Sequence, residues 1–377
     1  MKITYITADY YPENNAGVAR SKSYIEEMLK RGYDVEVFAS AGSVSIGCER
    51  IRTSFSKSPQ NTKSFSLRMF REFLFVSQCI FILFFTHKER VLVVSSPPFM
   101  LLVIPILFGS KFRSILLDVR DIYPDVIFDS GVLVSQSLIG RFLRRFEKKS
   151  YECSSKVVTV CSSLLGLISS RTSNTNLYLV HNGYPDSFYK LQREPAPCGS
   201  GDINVFCHGN FGRFQNIEFL IDVALVASFR LPNVRFHFVG FGSRFSYFKS
   251  KAGENCSFFD AVDQDSLLNM LKIAHIGISA RTDDFVGNSA MPVKVLEYLG
   301  LDIPVISLPI IDELRRFEVD SNIYQFDYSD GLDKVVALLK RFLDDEVVLK
   351  NACDSAEIVN FKRSGLSIKF CDILEES

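Results

Sequence analysis

The sequence predicts an α/β protein of two domains, each built from βαβ units around a parallel sheet. Three observations support this prediction. The chain has 377 residues, which exceeds what one hydrophobic core usually serves. A strand–loop–helix–strand pattern opens the chain at residues 1–40 and begins again after residue 203. Between the two halves, residues 186–202 concentrate Pro and Gly, as linkers do.

These patterns predict a first domain over 1–185, a linker over 186–202 and a second domain over 203–360. A C-terminal helix over 361–377 is expected to cross back to the first domain.

The first βαβ unit places a polar loop next to a strand end. Strands are predicted over Ile3–Thr7 and Val35–Ala39, with an amphipathic helix from about Arg20 to Arg31. Ligands of parallel sheets bind beyond the carboxyl ends of the strands, where Asn15 and Gly17 lie. Gly17 is predicted either to let the backbone approach a ligand or to be a plain left-handed turn residue.

Composition excludes several classes of function. The chain has 43 basic and 43 acidic residues, so no global field attracts nucleic acid. Nine cysteines show no metal-binding spacing and are interpreted as thiols, mostly buried, in a reducing cytosol. Residues 1–6 read as a first strand and not as a signal peptide.

Residues 65–108 are unusually apolar, with basic residues on both sides of the near-uncharged run Phe73–Thr86. That run is too short to span a bilayer. It is typical either of a helix lying on an anionic membrane surface or of an internal core helix. We predict peripheral membrane association and keep the core helix as the alternative.

A further apolar strand, near residue 116, runs into charged residues. Asp121 falls just beyond the strand and is the candidate site residue there, since charges at strand ends are candidates for function. Asp118 and Arg120 are expected to contribute to the site or to pair with each other.

The second half has a Gly-rich loop, residues 208–216, between a strand and a helix. Its backbone N–H groups, including that of Gly212, are suited to phosphate, and Arg213 adds a bidentate donor. Residues 240–243 contain G-x-G without a third glycine, so the dinucleotide fingerprint is absent. Val262, in a turn after the next strand, is a candidate substrate contact.

A short helix from Pro292 to Gly300 carries the central prediction. Lys294 and Glu297 are three residues apart and share one helix face. A cation in the first turn is unfavourable for the helix dipole unless an anion binds there. We predict that Lys294 holds phosphate and that Glu297 accepts hydrogen bonds from sugar hydroxyls. The alternative is an ordinary surface Lys/Glu pair.

Five segments together resemble a known family: YPENNAGVAR (11–20), DVRDIYPD (118–125), VHNGY (180–184), GNFGR (209–213) and PVKVLEYL (292–299). Their order and spacing resemble the GT-B glycosyltransferases of family 4, the retaining enzymes. This resemblance covers nearly the whole chain. It implies two Rossmann-like domains that face an interdomain cleft, the first binding acceptor and the second binding nucleotide sugar.

The resemblance also implies residue roles. Gly17 would let the first-domain loop close over the donor diphosphate, which Arg213 and Lys294 would neutralise as it leaves. Glu297 would bind the ribose, and Asp121 would lie at the acceptor side of the donor sugar.

One position departs from the family. The usual motif has two glutamates separated by seven residues, and here the first position is Ser289 while the second is Glu297. The contact to the donor sugar is therefore expected from Gly287, Asn288 and Ser289.

The branch that this chain resembles builds O-antigen and capsular polysaccharides, and it includes transferases of acetamido deoxy sugars such as N-acetylfucosamine. The expected donor is a nucleotide diphosphate sugar, and the expected acceptor is a saccharide or a polyprenyl-diphosphate-linked oligosaccharide. The resemblance implies a cytoplasmic protein, peripheral on the inner face of the cell membrane, that needs no metal or cofactor and has no nucleic-acid partner. The alternatives are a nucleotide-sugar epimerase of the same fold and an inactive scaffold of a polysaccharide assembly complex.

Overall fold

The chain forms two compact units. One contains Met1–Asn182 and Arg363–Ser377, and the other contains Gly183–Lys362. A computed structural model describes residues 1–12, 15–59, 64–129, 131–189, 201–284, 287, 291–317, 322–347 and 356–376. Each unit is a parallel sheet with helices between its strands, which confirms the predicted fold class.

The first unit contains a seven-stranded sheet in the order β3-β2-β1-β4-β5-β6-β7. Its strands are β1 Lys2–Ile6, β2 Asp34–Ala39, β3 Arg50–Thr53, β4 Val91–Ser96, β5 Ser114–Val119, β6 Lys156–Thr159 and β7 Leu177–Leu179. Adjacent strands are parallel. The central strands are apolar almost throughout because helices cover both faces of the sheet.

The helices of the first unit lie on two sides of this sheet. They are α1 Ala16–Lys30, α2 Phe65–Phe85, α3 Val103–Phe108, α4 Asp125–Asp129, α5 Leu138–Cys153 and α6 Ser162–Arg171. From β1 to β3, each new strand is added toward one edge of the sheet. From β4 to β7, each new strand is added toward the other edge. Right-handed crossovers therefore place α1 on one face and α2, α3 and α5 on the other.

The C-terminal helix of the chain packs against α1, as predicted. The Tyr24 and Phe370 rings stack with centroids 3.8 Å apart. Arg31 donates hydrogen bonds to Asp372 and Glu375, each at 2.7 Å. The end of the chain thus completes the first unit.

The second unit contains a six-stranded sheet in the order β10-β9-β8-β11-β12-β13. Its strands are β8 Ile203–Asn210, β9 Val234–Phe241, β10 Cys256–Asp260, β11 Ile276–Ala280, β12 Val305–Leu308 and β13 Ile323–Gln325. The helices are α7 Ile217–Arg230, α8 Phe245–Lys251, α9 Gln264–Leu271, α10 Val293–Gly300, α11 Gly331–Leu343 and α12 Ala356–Val359, and the helix that returns to the first unit is α13 Arg363–Glu375. The carboxyl ends of all six strands meet at one edge, because every adjacent pair is parallel.

Two boundaries near the predicted sites were wrong. Helix α1 begins at Ala16, four residues before the predicted start, because the Asn15 side chain accepts a hydrogen bond from Val18 N at 3.0 Å and caps the helix. Strand β8 continues to Asn210, so His208 and Gly209 pair with β9 and do not belong to the loop. Of the predicted linker, residues 190–200 lie outside the described residues.

Helix α2 is longer than the apolar run that predicted it. It begins at Phe65, where the Ser64 side chain accepts a hydrogen bond from Leu67 N, and it extends over 21 residues. Within the described parts of the chain, no helix is both long enough and apolar enough to cross a membrane.

Candidate functional site

Helix α10 is fixed against the second sheet by its own aromatic residue. The Tyr298 hydroxyl donates a hydrogen bond to the Phe206 carbonyl at 2.9 Å, which ties the helix to β8. Gly277 of β11 lies under the same ring, where an added Cβ would come within 2.4 Å of it. This anchoring buries Val295, Leu296 and Leu299 and leaves Lys294 and Glu297 half-buried on the outer face.

Lys294 reaches the carboxyl end of β8. Its ammonium donates a hydrogen bond to Gln215 Oε1 at 3.2 Å and lies 3.9 Å from Cys207 Sγ. Gly209, with a φ of +113°, is so close that an added Cβ would lie 3.7 Å from Lys294 Cε. A fixed positive charge therefore stands where β8 enters the Gly-rich loop and where α10 begins.

Glu297 approaches a histidine on the same strand. Its Oε2 lies 3.5 Å from His208 Nε2. Burial, and then the charge of Lys294, lower the pKa of His208 to about 3. His208 is therefore neutral at physiological pH, and its contact with Glu297 is not an ion pair. Its Nε2 makes no hydrogen bond to another described residue.

The loop between β8 and α7 carries the other predicted phosphate ligands. Arg213 is exposed, with its guanidinium carbon 6.0 Å from the centroid of the Phe214 ring. Gly212 is half-buried, and an added Cβ would lie 3.0 Å from Asn210 Oδ1. The contact of Gln215 with Lys294 joins this loop to the start of α10.

Two glycines at the end of β9 allow the backbone there to lie close to the end of β8 and to the Gly-rich loop. An added Cβ on Gly240 would be 1.9 Å from the Gly209 carbonyl oxygen. On Gly242 it would be 2.5 Å from the backbone of Phe211. Both residues have positive φ, at +154° and +143°. The incomplete G-x-G motif is therefore explained by backbone packing beside the loop.

Four other predicted residues of the second unit add little to this geometry. Val262 is half-buried after β10, at the edge of the sheet where the strands end but two strands from β8. Gly287 donates its N–H to Asp284 Oδ1 at 2.6 Å. Asn288 and Ser289 lie outside the described residues.

In the first unit, Gly17 is in the first turn of α1 and not in a loop, so it is not a left-handed turn residue. The reason is the Asn15 cap, which starts the helix earlier than predicted. That Gly17 lets the backbone approach a ligand stays a prediction. An added Cβ on Gly17 would lie 1.5 Å from Arg120 Nη1. Glycine is thus the residue that allows the Arg120 guanidinium to rest on the start of the helix.

Asp118 does not pair with Arg120, which corrects the proposed ion pair. It receives Arg20 Nη2 at 2.8 Å instead, and both side chains are almost fully buried. Arg20 also donates to the carbonyls of Val180 and His181 at 2.7 and 2.9 Å. This network joins α1, β5 and the end of β7, and it leaves Asp118 inside the fold.

Asp121 is an exposed residue directly after β5. Its position at the carboxyl end of a strand is the one expected from the sequence, and its role stays a prediction.

Among the described residues, no group of three or more His, Cys, Asp or Glu side chains is placed to hold a metal ion. Cys79, Cys161 and Cys207 are buried, and Cys79 and Cys207 are free thiols. Burial raises the pKa of Cys207, which keeps it a thiol although Lys294 is near.

The chain resembles solved structures, but its sequence matches no protein-family model and no curated protein. Solved structures do match over its whole length. The sucrose-phosphate synthase of Thermosynechococcus elongatus aligns with a TM-score of 0.75 at 12% identity, over 99% of this chain and 98% of that one.

Two further structures agree. Anabaena HepE in complex with UDP and glucose aligns with a TM-score of 0.72 at 12% identity, over all of both chains. WaaG, a glycosyltransferase involved in lipopolysaccharide biosynthesis, aligns with a TM-score of 0.69 at 14% identity, again over all of both chains. The chain has the GT-B fold. This confirms the fold that the resemblance implied.

The sequence did not single out two residues of this site. His208 and Gln215 were included in the Gly-rich stretch without a role, although both contact the predicted residues on α10. The signal for His208 was its position at the end of an apolar strand, where a polar side chain points to a site. No local signal distinguishes Gln215.

Proposed function

We propose that this GT-B protein is a retaining glycosyltransferase that takes a sugar from a nucleotide diphosphate donor. The observation that carries the proposal is the position of Lys294. Its ammonium lies at the carboxyl end of β8, within 3.2 Å of a residue of the Gly-rich loop and in the first turn of α10.

The chemistry needs positive charge at that place. When the bond between sugar and diphosphate breaks, negative charge develops on the leaving phosphate. Lys294, Arg213 and the N–H groups around Gly212 would stabilise that charge, and fixed donors aimed at developing charge are usually a large term in catalysis. No metal ion is required by this arrangement.

Glu297 is proposed as the ligand of the ribose hydroxyls. A carboxylate accepts hydrogen bonds only, and hydroxyls are natural donors to it. Its neighbour His208 is neutral and does not cancel its charge. Glu297 is three residues from Lys294, which suits adjacent parts of one nucleotide.

The remaining assignments complete the proposal. Asn15 and Gly17 serve the donor diphosphate, Asp121 serves the acceptor side of the donor sugar, and Val262 contacts the donor. Asn288 and Ser289 take the place of the missing first glutamate in binding the sugar.

We place the reaction in the synthesis of a surface polysaccharide, O-antigen or capsule. The donor is proposed to be an acetamido deoxy sugar nucleotide, and the acceptor a saccharide or polyprenyl diphosphate oligosaccharide at the cytoplasmic face of the membrane. Supporting this, structures that share the fold include WaaG and the outer core galactosyltransferase WaaB, both named for lipopolysaccharide, and HepE was solved with UDP and glucose.

The first experiment is a thermal-stability screen against nucleotide diphosphate sugars and the matching nucleoside monophosphates. A bound donor at 100 times its Kd stabilises the folded protein by about 2.7 kcal/mol. We expect the diphosphates to stabilise it and the monophosphates to do so far less, because Lys294 and Arg213 bind the second phosphate. Equal stabilisation by both classes would contradict this placement of the cations.

The second experiment separates the reactions. Incubation of the stabilising donor with a lipid-linked acceptor should release nucleoside diphosphate and elongate the acceptor. An isomerised donor without acceptor would identify an epimerase, and binding without turnover would identify a scaffold. Excess EDTA should leave the transfer rate unchanged, and loss of activity restored by Mg²⁺ would refute the metal-independent mechanism.

A further inference from the structure

One side of the first unit exposes a row of aromatic side chains. On α2, Phe70, Phe73, Phe81 and Phe84 are each 57–65% exposed. Their spacing of three, eight and three residues places them along one face of the helix. The opposite face, with Phe75, Val76, Cys79 and Leu83, is buried in the core. Monomeric proteins rarely expose a continuous apolar area of this kind without a use for it.

The neighbouring helices extend this apolar surface. Leu107 of α3 is 52% exposed, and Leu138, Ile139 and Phe142 of α5 are 60–79% exposed. Helix α3 lies against both helices, since the Phe84 and Phe108 rings meet at 5.3 Å and α3 packs against α5. We call the eight residues named here on α2, α3 and α5 the aromatic face.

The charges beside the aromatic face are mostly positive. Helix α5 exposes Arg141, Arg145, Lys148 and Lys149 over about two turns, next to its apolar residues. Glu152 of the same helix lies 3.7 Å from Lys148 and offsets part of its charge. Two other acidic groups near α5, those of Asp125 and Glu147, are directed inward. There they bind Arg144 and Arg171. Exposed basic residues beside apolar ones are the composition that binds anionic lipid surfaces.

We propose that the aromatic face is a docking surface for an anionic lipid bilayer, with α2 and α5 lying in the plane of the interface. The Phe side chains enter the boundary between head groups and acyl chains, and the Arg and Lys side chains reach lipid phosphates. This inference is independent of the Lys294 site, because it rests on other residues of the other unit.

Charge favours a bilayer over a second copy of the chain. A twofold dimer through this surface would bring the same patch of both partners together, so both sets of α5 basic residues would enter one interface. An anionic bilayer has the complementary charge. The apolar residues alone would fit either occupant.

The test is flotation of the full-length protein with vesicles of phosphatidylcholine, either alone or with phosphatidylglycerol added. Each basic residue near an anionic surface contributes about 1 kcal/mol, which is about fivefold in binding. We expect binding to the anionic vesicles that weakens as salt rises. Arg141→Ala with Arg145→Ala should weaken it by about 25-fold on the same basis. Phe73→Ser with Phe81→Ser should weaken it at least tenfold.

Phe229→Ser is the matched control. Phe229 is 87% exposed on α7 of the second unit, so its loss removes an exposed ring without changing the aromatic face, and vesicle binding should not change. All variants should keep the unfolding temperature and the stabilisation by donor of the parent, which separates this test from that of the donor site.

Unchanged vesicle binding in the Phe73/Phe81 variant would overturn the proposal. So would wild-type protein that stays out of both kinds of vesicle. A wild-type dimer in sedimentation velocity that the same substitutions convert to a monomer, without vesicle binding, would assign the surface to a second copy.

Discussion

Charged residues lie near the carboxyl ends of strands in both units, but they are used differently. In the first unit, Arg20 and Asp118 are 1% and 0% exposed and meet at 2.8 Å, and Arg20 also binds two backbone carbonyls. In the second unit, Lys294 and Glu297 remain half-buried. Lys294 donates a hydrogen bond to Gln215 at 3.2 Å, and Glu297 lies 3.5 Å from His208.

The difference shows how one topology supplies both stability and a site. A buried pair whose hydrogen bonds are satisfied holds elements together and has little left for a ligand. A half-buried cation beside a Gly-rich loop and a neutral histidine can still exchange its contacts for those of a ligand. A half-buried charged group near the strand ends is therefore a better candidate for ligand binding than a fully buried ion pair.

The largest effect on stability is expected from a substitution that breaks the buried pair of Arg20 and Asp118. Asp118→Ala leaves the Arg20 guanidinium buried without its carboxylate, and removal of one partner of such a pair costs about 3–5 kcal/mol. Urea unfolding should show this loss. Asp333→Ala, which removes the exposed partner of Arg230, is the control and should change little. Equal effects would mean that the burial of the pair does not matter.

The next effect concerns turnover. Lys294→Ala and Arg213→Ala should each lower the transfer rate by about 10²-fold or more, by analogy with the loss of one donor to a developing oxyanion. Lys340→Ala, in the last turn of α11, is the control for the loss of a lysine in the same unit. Near-normal rates in both site variants would refute the proposed mechanism, while the fold would stand.

A smaller effect is expected on the pH dependence of the unfolding free energy. Because the folded protein keeps His208 neutral down to a pKa of about 3, only the unfolded chain binds a proton there as pH falls below about 6.5. Stability should therefore decrease with falling pH, by about 1.4 kcal/mol at pH 5.5, and should be almost unaffected by this group above pH 7. His208→Gln should lack this component in urea unfolding at pH 7.5 and 5.5. An identical pH dependence in both proteins would show that His208 takes up its proton in the folded state.

The smallest effect tests the contact between Gly17 and Arg120. Alanine favours a helix over glycine by about 1 kcal/mol, but here its Cβ would displace the Arg120 guanidinium. Gly17→Ala should therefore be nearly neutral in the wild-type background and stabilising by up to about 1 kcal/mol after Arg120→Ala. A double-mutant cycle of unfolding free energies measures this coupling, and additive changes would refute the steric role of Gly17.

Much of the fold could be predicted because it depends on long, regular patterns. The runs that became β1, β2 and β5 are largely apolar, and the helices α1 and α2 are amphipathic or apolar over many residues. Strands β3 and β13 were missed because they are only four and three residues long. The predicted start of α1 was four residues too late. The Asn15 side chain caps the helix earlier than the apolar pattern of the following residues indicates.

By itself the sequence determined the two βαβ halves, the position of Lys294 and Glu297 on one face of a short helix, and the apolar character of α2. These properties depend on residues close together in the chain, where periodicity and capping act. Only the tertiary structure decided that Asp118 pairs with Arg20, that His208 and Gln215 approach α10, and that Arg120 rests on Gly17. Each of those contacts joins residues far apart in the chain. Many side chains could form the same kind of contact, and the packing of the whole sheet determines which of them comes close enough.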